Sequence, residues 1–200
     1  MKKRLGFDLI LLGAPASGKD TQAKILMSKY SLRPVESGKH WRAMAKKNNT
    51  EGRMLRRTMS LGQPTPVPLM KKFLTSNINK AQKNKDLIFI GNPRLEPEAI
   101  LLSRLLRNKR RDFLALFIQL SKKEILNRIK PRINLHRRSD DSKLEYVLRR
   151  IQWQAPGTSK SVKYFQSIHR LKFINGKHSI KKVANDIQKA VYDYTRSKRN

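Results

Sequence analysis

The sequence contains no cysteine. Disulfides and cysteine-ligated zinc are thereby excluded, and the expectation is a protein of a reducing compartment, the cytoplasm. Acidic residues are scarce as well: 14 Asp and Glu stand against 46 Lys and Arg, a formal charge of +32. Such an excess attracts polyanions (nucleotides, RNA, DNA or anionic lipid) or belongs to a source whose proteins are basic throughout, and it says nothing of fold. No apolar run approaches the ~20 residues that a membrane-spanning helix needs. The start, Met1 to Arg4 followed by Leu9 to Leu12, has the outline of a secretory signal, but the apolar stretch is short and Asp8 interrupts it, so none is expected. No helical pattern presents a broad exposed apolar face, which leaves little support for membrane attachment. The four histidines have no metal-ligand spacing and read as surface residues. Trp41 and Trp153 stand among arginines, where packing is the commoner reading than base stacking.

What the chain does have is a phosphate-loop pattern near its start. Gly13-Ala14-Pro15-Ala16-Ser17-Gly18-Lys19-Asp20-Thr21 reads G-x-x-x-x-G-K followed by Asp-Thr. An apolar run precedes it, and Ala23, Leu26, Met27 and Tyr30 follow at helical spacing. The loop therefore joins a strand to a helix, the context in which such a motif binds phosphate. Gly13 and Gly18 let successive N–H groups turn inward on an anion, the helix start adds positive potential, and Lys19 adds a full charge.

Five apolar runs read as strands: Leu9 to Leu12, the stretch around Pro34-Val35-Glu36, Leu87 to Ile90, Phe113 to Leu120, and Leu171 to Ile174. Helical periods separate them, and the runs lack polar alternation. Together these features predict an α/β chain of 200 residues forming one domain, with a parallel sheet covered on both faces and ligands at the carboxyl ends of its strands. Ser121-Lys122-Lys123-Glu124 predicts a capping box. Ser179 precedes a stripe of Val183, Ile187, Val191 and Tyr194. The segment from Thr50 is helical, then breaks at Gly62 to Pro66, and a short non-helical segment is expected around Pro131.

Four further constellations follow the strands: Ser37-Gly38-Lys39-His40-Trp41-Arg42; Gly91-Asn92-Pro93-Arg94; the series Arg128, Arg132, Arg138 with Asp140 and Asp141; and Arg149-Arg150. Each alone is a weak signal. In this order, from about Phe7 to Tyr192, they resemble adenylate kinase and its nucleoside-monophosphate kinase relatives, in the short-lid form without a zinc-type insertion. The resemblance implies a P-loop NTPase-type three-layer fold with a monophosphate flap at 37–66 and a lid at 128–141. It implies transfer of the γ-phosphoryl group of ATP to a nucleoside monophosphate, AMP first, with Mg²⁺ as cofactor and the protein a monomer. Residue by residue, the loop from Gly13 to Thr21 would hold the ATP phosphates, Arg128 and the Asn175-Gly176 turn would lie at the donor base, and Arg132 and Arg138 would close over the transferring group. Ser37, Gly38, Arg42, Gly91 and Arg94 would bind the acceptor. Arg150 would bridge both nucleotides; it is preferred to Arg149 because Thr158, Tyr164 and Phe165 then keep family register.

The chain departs from the family pattern at four positions. Ile90 and Lys39 stand where the family has Asp and usually has Asp, residues that help position magnesium. Asp20 stands where Gly is usual, and it either takes over part of the metal anchoring or complements the helix dipole. Glu98 stands where adenylate kinases carry Gln. An ionised carboxylate only accepts hydrogen bonds, so Glu98 would suit the guanine or cytosine edge better than adenine, unless it merely sits in a helix's first turn. The competing reading is a catalytically weakened relative whose basic surface binds RNA or another polyanion. Between Glu145 and Asp186 there is no acidic residue but nine Lys and Arg.

Overall fold

A computed structural model describes residues 2–134 and 144–198; for Arg132, Ile133, Asn134, Leu144 and Tyr146 it describes the backbone alone. The expected apolar runs are strands β1 (Asp8–Leu12), β2 (Leu32–Glu36), β3 (Asp86–Ile90), β4 (Phe113–Gln119) and β5 (Leu171–Asn175). They pair in parallel in the order β2-β3-β1-β4-β5. Every residue of β1 and β3 is buried, which is why these strands are apolar without alternation.

Side chains alternate between two cores. Leu9, Leu11, Ile88, Ile90, Leu114 and Leu116 pack against α1 (Lys19–Lys29) and α8 (Ile180–Ser197) through Ala23, Leu26, Val183, Ile187 and Val191. Ile10, Leu12, Phe89, Phe113 and Ala115 face the other way. There they meet α2 (Ser37–Ala45), α3 (Thr50–Ser60), α4 (Val67–Asn79), α5 (Glu96–Asn108) and α7 (Leu144–Ser167), which supply Trp41, Leu55, Met70, Leu102 and Phe165. Trp41 is a core residue, packed on Phe73 with ring centroids 5.2 Å apart. The three layers follow from strands with two apolar faces.

Local signals set the helix ends. Ser121 and Glu124 bond each other's backbone N–H at 3.3 and 2.9 Å, forming the capping box of α6 (Lys122–Asn134). The Ser179 hydroxyl accepts from Lys182 N–H at the start of α8. One expectation fails: the chain around Pro131 is not a break, because α6 continues through it to Asn134. Ile125 and Ile129 are buried against Val147 and pin the helix up to that point. A proline there removes one hydrogen bond and strains one turn, a cost that packing of the preceding turns outweighs.

The two ends of the sheet differ in charge. At the amino ends, Asp8 takes a bidentate pair from Arg111 (2.6 and 2.8 Å) and the Leu87 N–H, while Asp86 accepts from Arg4 and the Leu5 and Gly6 N–H groups. The carboxyl ends carry the cations described next. The outer strand β2 carries Pro34, which has no N–H to offer.

Candidate active site

The chain reverses its direction of travel across the sheet beside β1, and at the carboxyl end of β1 the loop Gly13 to Gly18 opens a cavity of about 380 Å³. Backbone geometry makes the loop. Gly13, Ala16 and Gly18 have φ of 148°, 59° and 94°. A Cβ on Gly13 would lie 2.6 Å from Ser17 Oγ and 2.8 Å from the Ile118 carbonyl, so glycine is required there. Lys19 folds back over the loop and donates to the Gly13 and Ala14 carbonyls at 2.8 and 2.7 Å, and to Ser17 Oγ at 3.2 Å. Its ammonium is thus held at the mouth of the cradle that an anion would enter.

The opposite wall comes from β2, β3 and α7. Gly38, Lys39 and Arg42 approach from the first turns of α2, directly after β2. After β3, Gly91 (φ 81°) turns the chain, and Arg94 follows the cis Asn92–Pro93 bond. Arg94 is fixed twice: its Nε donates to the Gly91 carbonyl at 2.8 Å, and its backbone N–H donates to Glu98 Oε2 at 2.7 Å. From α7, Arg150, Gln154 and Thr158 recur every four residues and form one stripe facing the cavity. Arg149, its neighbour, is exposed and paired with Glu145 and does not line the cavity. Arg128 reaches in from α6 and donates to the Gly176 carbonyl at 2.6 Å.

The structure brings most of the predicted residues together. Pro15, Ala16, Ser17, Lys19, Asp20 and Thr21 line the same space as Arg42, Arg94, Arg128 and Arg150, with Gly13, Gly18, Gly38 and Gly91 between them. Four others stand back from it. Ala14 packs against the small core of Ile125, Ile129 and Val147. Ser37 is 1% exposed, and its hydroxyl donates to the Gly91 carbonyl, so it ties β2 to the turn after β3. Gly176 is bonded to Gln119 and Arg128 and does not line the cavity. Glu98 is 2% exposed with its carboxylate turned back on Arg94, neither facing solvent nor lining the cavity. Burial pushes its pKa above the ordinary carboxylate value, against the hydrogen bonds and the Arg94 charge that pull it down. The side chain of Arg132 and the whole of His136, Arg138, Asp140 and Asp141 lie outside the described residues.

Asn92, Pro93, Gln154 and Glu36 also line the cavity, although their residue types carried no phosphate-binding signal. Among the described lining residues, six cationic side chains face two carboxylates, Asp20 and Glu36. That balance suits an anionic ligand with several charges. No three His, Asp or Glu side chains cluster as a metal cage among the described residues. Magnesium is commonly carried by one or two carboxylates together with substrate phosphates and water, so the donor set fits an ion arriving on a nucleotide, not a resident one.

A model of the family described as "Adenylate kinase" matches residues 11–170. The adenylate kinase of Azobacteroides pseudotrichonymphae is 31% identical over 178 residues, spanning 88% of this chain and 93% of that protein. The adenylate kinase of Bacteroides fragilis is 29% identical over 185 residues, spanning 92% and 97%. That of Sinorhizobium medicae is 28% identical over 188 residues, spanning 90% and 97%.

Proposed function

The chain belongs to the adenylate kinase family and is an enzyme that moves a phosphoryl group from ATP to a nucleoside monophosphate; from that premise we propose that AMP is its acceptor and that the two walls of the cavity hold one nucleotide each. The observation that carries the proposal is the convergence of Lys19, Arg42, Arg94 and Arg150 on one space from four separate parts of the chain. The family assignment favours the enzyme over the polyanion-binding reading.

On this proposal the Gly13–Thr21 loop grips the ATP phosphates through its N–H groups. Lys19 exchanges its carbonyl partners for phosphate oxygens. Gly38, Arg42, Gly91 and Arg94 hold the acceptor phosphate, and Arg150 spans the two. An acceptor phosphate oxygen attacks the γ-phosphorus in line, the bond to the β–γ bridging oxygen breaks, and both products leave as diphosphates. Positioning and charge neutralisation supply the acceleration, since such transfers need little covalent help from protein. Arg132 and Arg138 join from the 128–141 lid, and together with the 37–66 flap they exclude water so that the phosphoryl group is not hydrolysed. Ser37 acts by holding the turn at Gly91, Glu98 by holding Arg94, and Arg128 by linking the Gly176 turn to the donor side. Asp20 would share in holding the Mg²⁺ that accompanies the donor phosphates. When bound, that ion would supply charge neutralisation at those phosphates. A cytoplasmic monomer is the setting assigned, in keeping with the cysteine-free sequence.

The test is ADP formation from ATP plus each monophosphate with Mg²⁺, for the wild type and Lys19→Ala. Turnover fastest with AMP and reduced ~10³-fold or more in the variant is expected. A preference for GMP or CMP overturns the acceptor assignment. Turnover that does not depend on Lys19 overturns the site.

A further inference from the structure

Two amide side chains in the acceptor wall have buried polar atoms without partners among the described residues. Asn92, between Gly91 and Pro93, is 1% exposed, and neither its Nδ2 nor its Oδ1 has a hydrogen-bond partner among the described residues. Gln154, midway between Arg150 and Thr158 on the α7 stripe, is 7% exposed, and its Nε2 has no partner there either. Both residues line the cavity, on the wall shared with Arg94 and Arg150. A buried amide left unpaired opposes folding, and apolar side chains would fill these positions at no such cost. Gln22 Oε1 and Ser103 Oγ are also buried without partners among the described residues, but Asn92 and Gln154 differ from them in lining a cavity, where a ligand can complete them.

The neighbours indicate what that is. Arg42, Arg94 and Arg150 bring planar, charged donor forks that bind and orient phosphate oxygens but offer no acceptor. Neutral amide N–H groups beside them add directional donors for phosphoryl oxygens, and the Asn92 carbonyl adds an acceptor for a hydroxyl of the attached sugar. We propose that Asn92 and Gln154 are acceptor-binding residues, donating through Nδ2 and Nε2 to the phosphate oxygens of the bound nucleoside monophosphate. This rests on the assignment of that wall to the acceptor. It adds two neutral donors that share with the arginines the orientation of the acceptor phosphate for attack.

The experiment measures KM for AMP and for ATP, AMP affinity by calorimetry without ATP, and the melting temperature of the ligand-free protein, in the wild type, Asn92→Ala and Gln154→Met. Each variant is expected to raise KM and Kd for AMP ~10-fold, the effect of one lost hydrogen bond to a charged group. KM for ATP should stay within about twofold, and ligand-free Gln154→Met should melt no lower than wild type because a buried, unpaired N–H group has been removed. An AMP affinity unchanged in both variants overturns the proposal, leaving water as what completes the amides. So does a rise in both KM values together with a lowered melting temperature, the signature of a structural role. A wild type that binds no monophosphate at all would instead remove the acceptor assignment on which the proposal stands.

Discussion

At the scale of the residue, Glu98 shows how a side chain can serve the reaction without touching a ligand. Helix α5 begins at Glu96 with Leu95 as its cap, and that cap has no polar side chain to offer. Glu98, in the first turn, reaches back instead and holds the Arg94 N–H. Its carboxyl pKa is raised by burial, so the folded state binds the proton more readily than the unfolded chain. The stability this confers is complete below the ordinary value of 4.5 and is lost as pH rises through the raised one. Urea unfolding should therefore show the wild type losing stability relative to Glu98→Gln as pH climbs above 4.5, since the amide keeps an acceptor for Arg94 without a charge. Glu98→Ala leaves that N–H unpaired and should cost about 1–3 kcal/mol. In the same spirit, Asp20→Ala should raise the Mg²⁺ concentration needed for half-maximal turnover. An unchanged Mg²⁺ requirement would return Asp20 to the role of a first-turn acid complementing the helix dipole. Arg94 and Lys19 were legible because their chemistry is written in short glycine-containing motifs. Glu98 was not, because the direction of a first-turn carboxyl depends on which backbone donors lie buried beside it.

Among elements, α7 does the most to shape the site. It passes so close to the turn after β3 that a Cβ on Gly157 would lie 2.5 Å from the Arg94 carbonyl and 2.7 Å from Leu95 Cδ2. Gly157→Ala should therefore destabilise the protein by about 1–3 kcal/mol. It should also lower kcat/KM for the acceptor more than for ATP, because the displaced backbone belongs to Arg94; steady-state kinetics alongside thermal melting would separate the two effects. Helix α8 offers a simpler case. Removing its cap with Ser179→Ala should cost about 1 kcal/mol in thermal or urea unfolding and leave kinetics unchanged. The inner strands β1, β3 and β4 were readable because burial on both faces dictates composition directly, and the partly buried rim strands β2 and β5 and the stripe of α8 from shorter apolar runs and spacing. The course of α6 was not, because proline reports a local cost while the helix is held by Ile125 and Ile129 packing on α7. The α7 stripe of Arg150, Gln154 and Thr158 was half legible: the arginine and threonine fell in family register, and the glutamine between them showed its place only in three dimensions.

For the molecule as a whole, the imbalance of 46 basic against 14 acidic residues has a kinetic consequence. Substrates and products are all polyanions, and long-range attraction from so cationic a body raises their local concentration. Raising ionic strength from about 0.05 to about 0.5 M shortens the screening length severalfold and should increase KM for both nucleotides severalfold, with a smaller effect on kcat. The few acids are not evenly spread. Asp8 and Asp86 are buried at the amino ends of β1 and β3, where each neutralises an arginine and accepts from backbone N–H groups, while six cationic side chains line the cavity at the opposite end.

The sheet also has two rims. On one, the missing N–H of Pro34 breaks the row of donors that a foreign strand would need. On the other, Lys172 and an exposed Phe173 occupy the outermost ribbon β5, where the lysine charge opposes the approach of a like-charged copy. Stacking of one molecule's sheet onto the next is thereby blocked at one border by geometry and at the other by repulsion. Concentrated solutions of the folded protein should accordingly resist fibril growth until salt weakens the second barrier.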